Sequence, residues 1–218
     1  MVAEVLAKTE LFDALLPEEV AQLAEHAEER RLARNDILCR EHDPADEMFI
    51  VTEGRLAVTR GFVDGRESVI ALMEPGDLVG EMPLFDGRAR STDVRALEPS
   101  AVVVVPYDPV RELYSHRPEL LWRVVRLLSI RLRVTDDALA DSMFLDVAGR
   151  TAKRLLELSG GQDVFLLPVT QEELAGMVGA SRERVNKALA SFARLGWIVQ
   201  HDRRYTISDR GALELRSC

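Results

Sequence analysis

Gly76 to Thr92 reads GDLVGEMPLFDGRARST, and the rest of the chain is read outward from it. An acid, Glu81, stands nine residues before Arg90, with glycines at Gly76, Gly80 and Gly87. Ser91 and Thr92 follow the arginine directly. An arginine fork neutralises a phosphate, often bidentately. Hydroxyls and backbone N–H groups complete the phosphate oxygens, and glycines let the backbone come close. A carboxylate repels phosphate but accepts hydrogen bonds from sugar hydroxyls. Acid and arginine on one short loop therefore suit a ribose phosphate. The competing reading is an ordinary surface turn with a solvated Glu81–Arg90 pair.

The flanking sequence, from about Arg31 to Pro106, consists of short apolar runs separated by turns. The runs are Met48–Val51, Leu56–Val58, Ser68–Leu72 and Ala101–Val105. The turns are Glu53-Gly54, Asp64-Gly65, Pro75-Gly76 and Asp86-Gly87. Strands this short and this evenly punctuated predict an antiparallel sandwich or barrel, with Gly54 and Gly65 as its corners. His42 reads as a solvated loop residue. Ahead of this unit, Leu11, Phe12, Leu15, Leu16, Val20 and Leu23 recur at helical spacing, and Pro17 before Glu18 and Glu19 marks a helix start.

Pro118 to Phe144 carries the longest helical pattern. Leu121, Val125, Leu128, Leu132, Thr135, Leu139 and Ser142 step by three and four, a heptad-like seam. Arg123, Arg126, Arg131 and Arg133 fall mostly on other faces, as do Asp136, Asp137 and Asp141. A helix about 40 Å long exceeds what one small barrel covers. The seam is therefore expected to pack against its twin in a homodimer. Phe144 to Arg150 breaks the pattern, and Asp146 suits the N-cap of a helix over Val147–Leu158 ended by Gly160-Gly161. A hinge is placed here. The expected divisions are residues 1–116, 117–145 and 146–218.

The tail reads as a winged helix-turn-helix. Thr170-Gln171-Glu172-Glu173 is a capping box. Leu174, Ala175 and Val178 make a short helix, and Gly179 is the turn. Ser181 caps a second helix that buries Val185, Ala188, Leu189 and Phe192 and exposes Arg182, Glu183, Arg184, Asn186 and Lys187. Such a helix sets its N-terminal residues into the major groove, where Arg or Lys meets guanine and Glu meets cytosine. Trp197-Ile198-Val199 and Tyr205-Thr206-Ile207 predict a hairpin wing whose tip residues, Arg203 and Arg204, suit phosphates.

The 218 residues carry a net charge of −9. The charge is uneven: from Val147 onward eleven basic and eight acidic residues give +3, and residues 1–146 hold −12. An acidic front and a basic tail agree with a nucleic-acid reader at the C-terminal end. Cys39 and Cys218 form no metal spacing and no disulfide framework, and the longest apolar run, Ala101–Val105, is far short of a membrane span. A cytoplasmic protein without membrane partners is expected.

The focal stretch resembles the phosphate-binding cassette of cyclic-nucleotide-binding domains, with Gly80, Glu81, Leu84, Arg90, Ser91 and Thr92 on that pattern. Pro83 departs from it and removes one backbone N–H. FLDVAGRTAKRLLEL and VTQEELAGMVGASRERVNKALASFARLGWI resemble the DNA-binding domain of the cyclic-AMP receptor protein family, particularly its actinobacterial members. The resemblance implies an α+β protein: an N-terminal β-roll of jelly-roll type, a long central dimerisation helix and a C-terminal winged helix-turn-helix. It implies a transcription regulator, not an enzyme, with cyclic AMP as effector ligand. Gly80, Glu81, Met82, Arg90, Ser91, Thr92, Thr135 and Asp136 would form the ligand site. Glu81 would meet the ribose 2′-hydroxyl, Arg90 and Ser91 the cyclic phosphate, and Thr135 adenine across the dimer. Asp136 departs from the usual Ser or Asn. Thr170, Gln171, Ser181, Arg182, Glu183, Arg184, Asn186, Lys187, Arg203 and Arg204 would meet double-stranded DNA, a palindromic operator with TGTGA-like half-sites. Arg182, Glu183 and Lys187 match the base-reading positions, with Lys187 replacing a forked Arg. RNA polymerase is a further implied partner. Cyclic di-GMP as effector, or constitutive DNA binding with a degenerate pocket, is the alternative. An iron–sulfur effector would need a cysteine cluster.

Overall fold

The computed structural model describes residues 1–61 and 67–218. The turn expected at Asp64-Gly65 lies outside the described residues. The chain divides into two compact units, Met1–Arg66 with Ile70–Leu132 and Arg133–Cys218 with Glu67–Val69.

Apart from Glu67–Val69 at the start of one strand, two four-stranded sheets make up the frame of the first unit. One has the order β1 (Glu28–Leu32), β8 (Ser100–Pro106), β3 (Glu47–Glu53), β6 (Leu78–Val79). The other has the order β2 (Ile37–Cys39), β7 (Asp93–Ala96), β4 (Leu56–Gly61), β5 (Glu67–Met73). The pairs β1–β8, β3–β8, β3–β6, β2–β7 and β4–β7 are antiparallel.

The run Ala101–Val105 is apolar without alternation because both its faces are buried. Val102 and Val104 join Phe49, Val51, Leu56 and Val94 in one core. Val103 and Val105 turn the other way, with Met48 and Ile50, into a second core shared with helices. Those helices are α1 (Val2–Lys8), α2 (Pro17–Glu25), α4 (Tyr107–His116) and the start of α5 (Leu121–Phe144). Each such valine or leucine contributes roughly 1.5–3 kcal/mol on burial. Gly54, at φ +72°, is a corner as expected: a Cβ there would sit 2.4 Å from the Ser100 hydroxyl.

Several elements depart from the sequence reading. Pro17 does open a helix, and Glu19 reaches back to the Leu16 N–H at 2.8 Å. Leu11 and Phe12 are fully buried but lie in turns before it, not on a helix. β1 reads EERRL and carried no apolar pattern. It is an outer strand of its sheet whose Arg30 pairs with Glu47 at 2.9 Å. Between β6 and β7 the focal stretch folds into a short helix, α3 (Met82–Asp86). A 3-10 turn, Pro118–Leu120, precedes α5.

The 24 residues of α5 cross the division between the units. Val124 and Leu127 are buried in the first unit's core. The seam residues Leu121, Val125, Leu128, Leu132 and Leu139 are all exposed in the single chain, from 42% at Leu128 to 60% at Leu132.

The second unit contains α6 (Val147–Leu158), β9 (Val164–Leu166), α7 (Gln171–Val178), α8 (Arg182–Arg194), β10 (Ile198–His201), β11 (Arg204–Ile207) and α9 (Arg210–Arg216). Its antiparallel sheet has the order β10-β11-β9. The capping readings hold. Asp146 accepts from the Gly149 N–H at 2.8 Å, and Arg216 of α9 pairs with the same carboxylate. Thr170 and Glu173 form a reciprocal box at 3.2 and 2.7 Å. Ser181 accepts from the Arg184 N–H at 3.4 Å.

Candidate functional site

In the first unit the cassette wraps around two buried ionic side chains. Glu81, just ahead of α3, is 1% exposed and Arg90 is 5% exposed. The reading of a solvated Glu81–Arg90 pair is therefore wrong on both counts. Glu81 pairs through Oε1 with Arg131 of α5, whose other Nη donates to the Leu78 carbonyl at 2.6 Å. The second carboxylate oxygen, Oε2, is buried and has no hydrogen-bond partner. Burial pushes the Glu81 carboxyl above its usual value, against the attraction of Arg131 and then of Arg90.

Arg90 is held by backbone carbonyls. Nη1 donates to Gly80 O at 3.0 Å and to the Tyr107 hydroxyl at 3.2 Å, and Nη2 donates to Glu47 O at 2.7 Å. Its guanidinium carbon lies 5.1 Å from the Phe49 ring centroid, a cation–π contact. Gly80 is required by this packing. Its φ is +83°, and a Cβ would sit 2.5 Å from Arg90 Nη1.

Gly80, Glu81, Met82, Arg90, Ser91 and Thr92 are thus gathered in one unit. Met82 and Ser91 are exposed and Thr92 half-buried. Thr135 and Asp136 belong to the second unit and are exposed. Sequence reasoning missed Arg131, which it set among the charges on other faces. The usable signal was its position one helical turn before Thr135. It also missed Tyr107, for which no motif speaks.

In the second unit, Ser181, Arg182, Glu183, Arg184 and Lys187 stand exposed at the start of α8. Asn186, expected to be exposed with them, is half-buried with a buried, unpartnered Oδ1, because it lies toward the helix's packed side. Arg203 and Arg204 are exposed on the wing, and Arg203 also donates to Leu167 O at 3.0 Å. Thr170, Gln171, Arg182, Asp202, Arg203 and Tyr205 line a cavity of about 320 Å³ that joins the start of α7, the start of α8 and the wing tip. Glu172 lines it as well, so two guanidinium groups and two carboxylates share the cavity.

Among the described residues no cluster of His, Cys, Asp or Glu could hold a metal, and no helix is long and apolar enough to cross a membrane. An enclosed Glu–Arg cassette on a β-sandwich, followed by a capped helix-turn-helix with a wing, defines a ligand-sensing, DNA-binding class of protein. Residues 29–117 match the cyclic nucleotide-binding domain family, and residues 149–216 the Crp-like helix-turn-helix domain family. The chain belongs to the CRP/FNR family, whose members are transcription regulators and not enzymes. It is 37% identical over 221 residues to a CRP-like cAMP-activated global transcriptional regulator of Mycobacterium tuberculosis, covering 98% of this chain and 99% of that one. It is 30% identical to the cAMP-activated global transcriptional regulator CRP of Salmonella typhimurium, over 81% of this chain and 87% of that one. Among solved structures it resembles the c-di-GMP responsive global regulator CLP of Xanthomonas campestris. That likeness has a TM-score of 0.76 and 25% identity, over 87% of this chain and 98% of that one.

Proposed function

We propose that this chain is a cytoplasmic, dimeric regulator that binds a palindromic operator and is tightened on it by cyclic AMP at the cassette. The carrying observation is the unpartnered, buried Glu81 Oε2. A buried acceptor without a donor is costly, by about 1–3 kcal/mol. A ribose hydroxyl supplies the missing donor, and Arg90, one short loop away, supplies charge for the phosphate. The residues fit such a ligand, which brings one free ribose hydroxyl and one negative charge. Ser91 and Thr92 offer further hydroxyls, and Thr135 and Asp136 are proposed to meet the base across the dimer, from the second copy.

The exposed leucine seam of α5 supports a dimer, since a second copy is the natural cover for an apolar heptad stripe. Two copies present two α8 helices, which is what a palindrome requires. Arg182, Glu183 and Lys187 are proposed to read bases. Arg203 and the cavity between α7, α8 and the wing are proposed to take a backbone phosphate. The segment Leu145–Gly149 is the proposed hinge that carries the ligand's effect from the cassette to the reader.

One observation favours a second reading. Glu81 and Arg90 already have protein partners in this structure, so a pocket that no longer needs ligand, or that takes cyclic di-GMP, is the rival. Calorimetry on nucleotide-stripped protein with cyclic AMP, cyclic GMP and cyclic di-GMP separates the readings. Saturable heat with cyclic AMP alone is expected. Heat with cyclic di-GMP only, or with none, would replace the proposal by its rival.

A further inference from the structure

Tyr107 opens α4 directly after β8, and its ring is 1% exposed within the core that packs sheet against helices. Its backbone N–H is tied to Asp46 O at 2.7 Å. Its hydroxyl donates to Gly80 O and accepts from Arg90 Nη1. Burial pushes this phenol up to about 12, so it stays protonated at neutral pH and keeps donating to the carbonyl. The sense of the two bonds is therefore fixed, with the oxygen lone pair toward Arg90.

A guanidinium has five N–H groups in one plane. The two on Arg90 Nη1 go to Gly80 O and Tyr107, and one on Nη2 goes to Glu47 O. Among the described residues Nε–H and one Nη2–H take no hydrogen bond, and Nε and Nη2 share one edge of the fork. That edge grips two oxygens of a single anion. Three anchors thus leave the bidentate edge free, and two of them, Gly80 O and the Tyr107 hydroxyl, also bind each other.

We propose that Tyr107 is the positioning residue that fixes the plane of Arg90 and so presents its bidentate edge to the phosphate of a cyclic nucleotide. The inference rests on the reading of the cassette as a cyclic-nucleotide site. Tyr107 does not touch the ligand. Without its hydroxyl, one Nη1 hydrogen is left buried and unpaired, and the guanidinium turns to recover a partner.

The test is a double-mutant cycle on the full chain, stripped of nucleotide and titrated with cyclic AMP. Tyr107→Phe keeps the ring and its packing, and thermal melts check that each variant folds. Tyr107→Phe is expected to weaken binding about tenfold, the scale of one hydrogen bond to a charged group. Arg90→Lys, which keeps the charge but lacks the fork, is expected to weaken it about a hundredfold. The double variant should match Arg90→Lys within about twofold, because a residue that acts only through the fork has nothing left to position. Tyr107→Phe binding as tightly as wild type would overturn the inference. So would losses that multiply in the double variant, which would mean that Tyr107 merely supports the fold. A wild type that binds no cyclic nucleotide overturns the cassette reading, and this inference falls with it.

Discussion

The cassette and the reading helix place their charged side chains in opposite environments. Glu81 and Arg90 are almost wholly buried, and partners hold both. Arg182, Glu183, Arg184 and Lys187 stand in solvent. A small ligand is discriminated by desolvated groups, where an unmatched polar atom is expensive. A duplex is met by a surface, where affinity comes from neutralised phosphates and specificity from base edges that exposed side chains reach. The same residue type, arginine, is buried and held by carbonyls in one unit and exposed at a helix start in the other.

The largest effect is expected where the comparison is broken by removing the element that both units share. α5 crosses the division, and Leu128 lies on its exposed seam. Leu128→Glu should yield monomers and abolish operator binding, because one reader covers half a palindrome. Light scattering at micromolar concentration reports the mass. A monomeric wild type under those conditions would end the dimer proposal.

Next in size is a change that unseats the buried arginine. Gly80→Ala forces a non-glycine residue to φ +83° and drives a methyl to 2.5 Å from Arg90 Nη1. The backbone strain alone is about 1–3 kcal/mol. Nucleotide affinity should fall at least tenfold, while Ala at the exposed turn glycine Gly179 should leave nucleotide affinity near wild type. Equal nucleotide loss from both would show that the cassette's geometry is not special.

Smaller effects distinguish the exposed arginines from one another. Arg182→Ala should weaken the cognate site alone by about 1–3 kcal/mol. Arg203→Ala should weaken all duplexes alike and reduce the salt slope by about one unit, since it would remove one phosphate contact. Gel-shift titrations on cognate and random DNA across salt check both. Identical factors on both duplexes for both variants would remove the division of labour.

How much was legible follows the same contrast. The helix-turn-helix could be read because its signals are local: Thr170 and Glu173 cap within three residues, and Val185, Ala188, Leu189 and Phe192 repeat at helical spacing. The glycines of the cassette, and Glu81 and Arg90 as its charged residues, were also visible, though not as a pair with each other. What the sequence could not place was which partner each charge takes. Glu81 meets Arg131, fifty residues away, and Arg90, in a loop, meets the carbonyl of Glu47 on β3. Such pairings are set by sheet packing and leave no periodicity. β1 was hidden for a related reason: its five residues, EERRL, are mostly charged, and only its pairing with β8 makes them a strand.

The smallest expected effect concerns the acid. Burial holds the Glu81 carboxyl above the ordinary value of 4.5, outweighing the arginines beside it. A raised folded-state value means that the folded chain binds the proton more tightly than the unfolded one. That stabilisation is complete below the ordinary value and is lost as pH rises through the raised one. Glu81→Gln removes the titration, and the cost to Arg131 of losing its counter-charge is constant across this range, because arginine stays charged. The difference in thermal stability, wild type minus Glu81→Gln, should therefore fall as pH rises from about 4 toward neutrality. Its slope carries the information and its offset does not. Nucleotide affinity should move the other way over the same interval, since the ionised carboxylate is the better acceptor for a ribose hydroxyl. Opposed slopes for stability and affinity fit a buried acceptor kept for a ligand. Parallel slopes, or none, would make Glu81 only the counter-charge of Arg131.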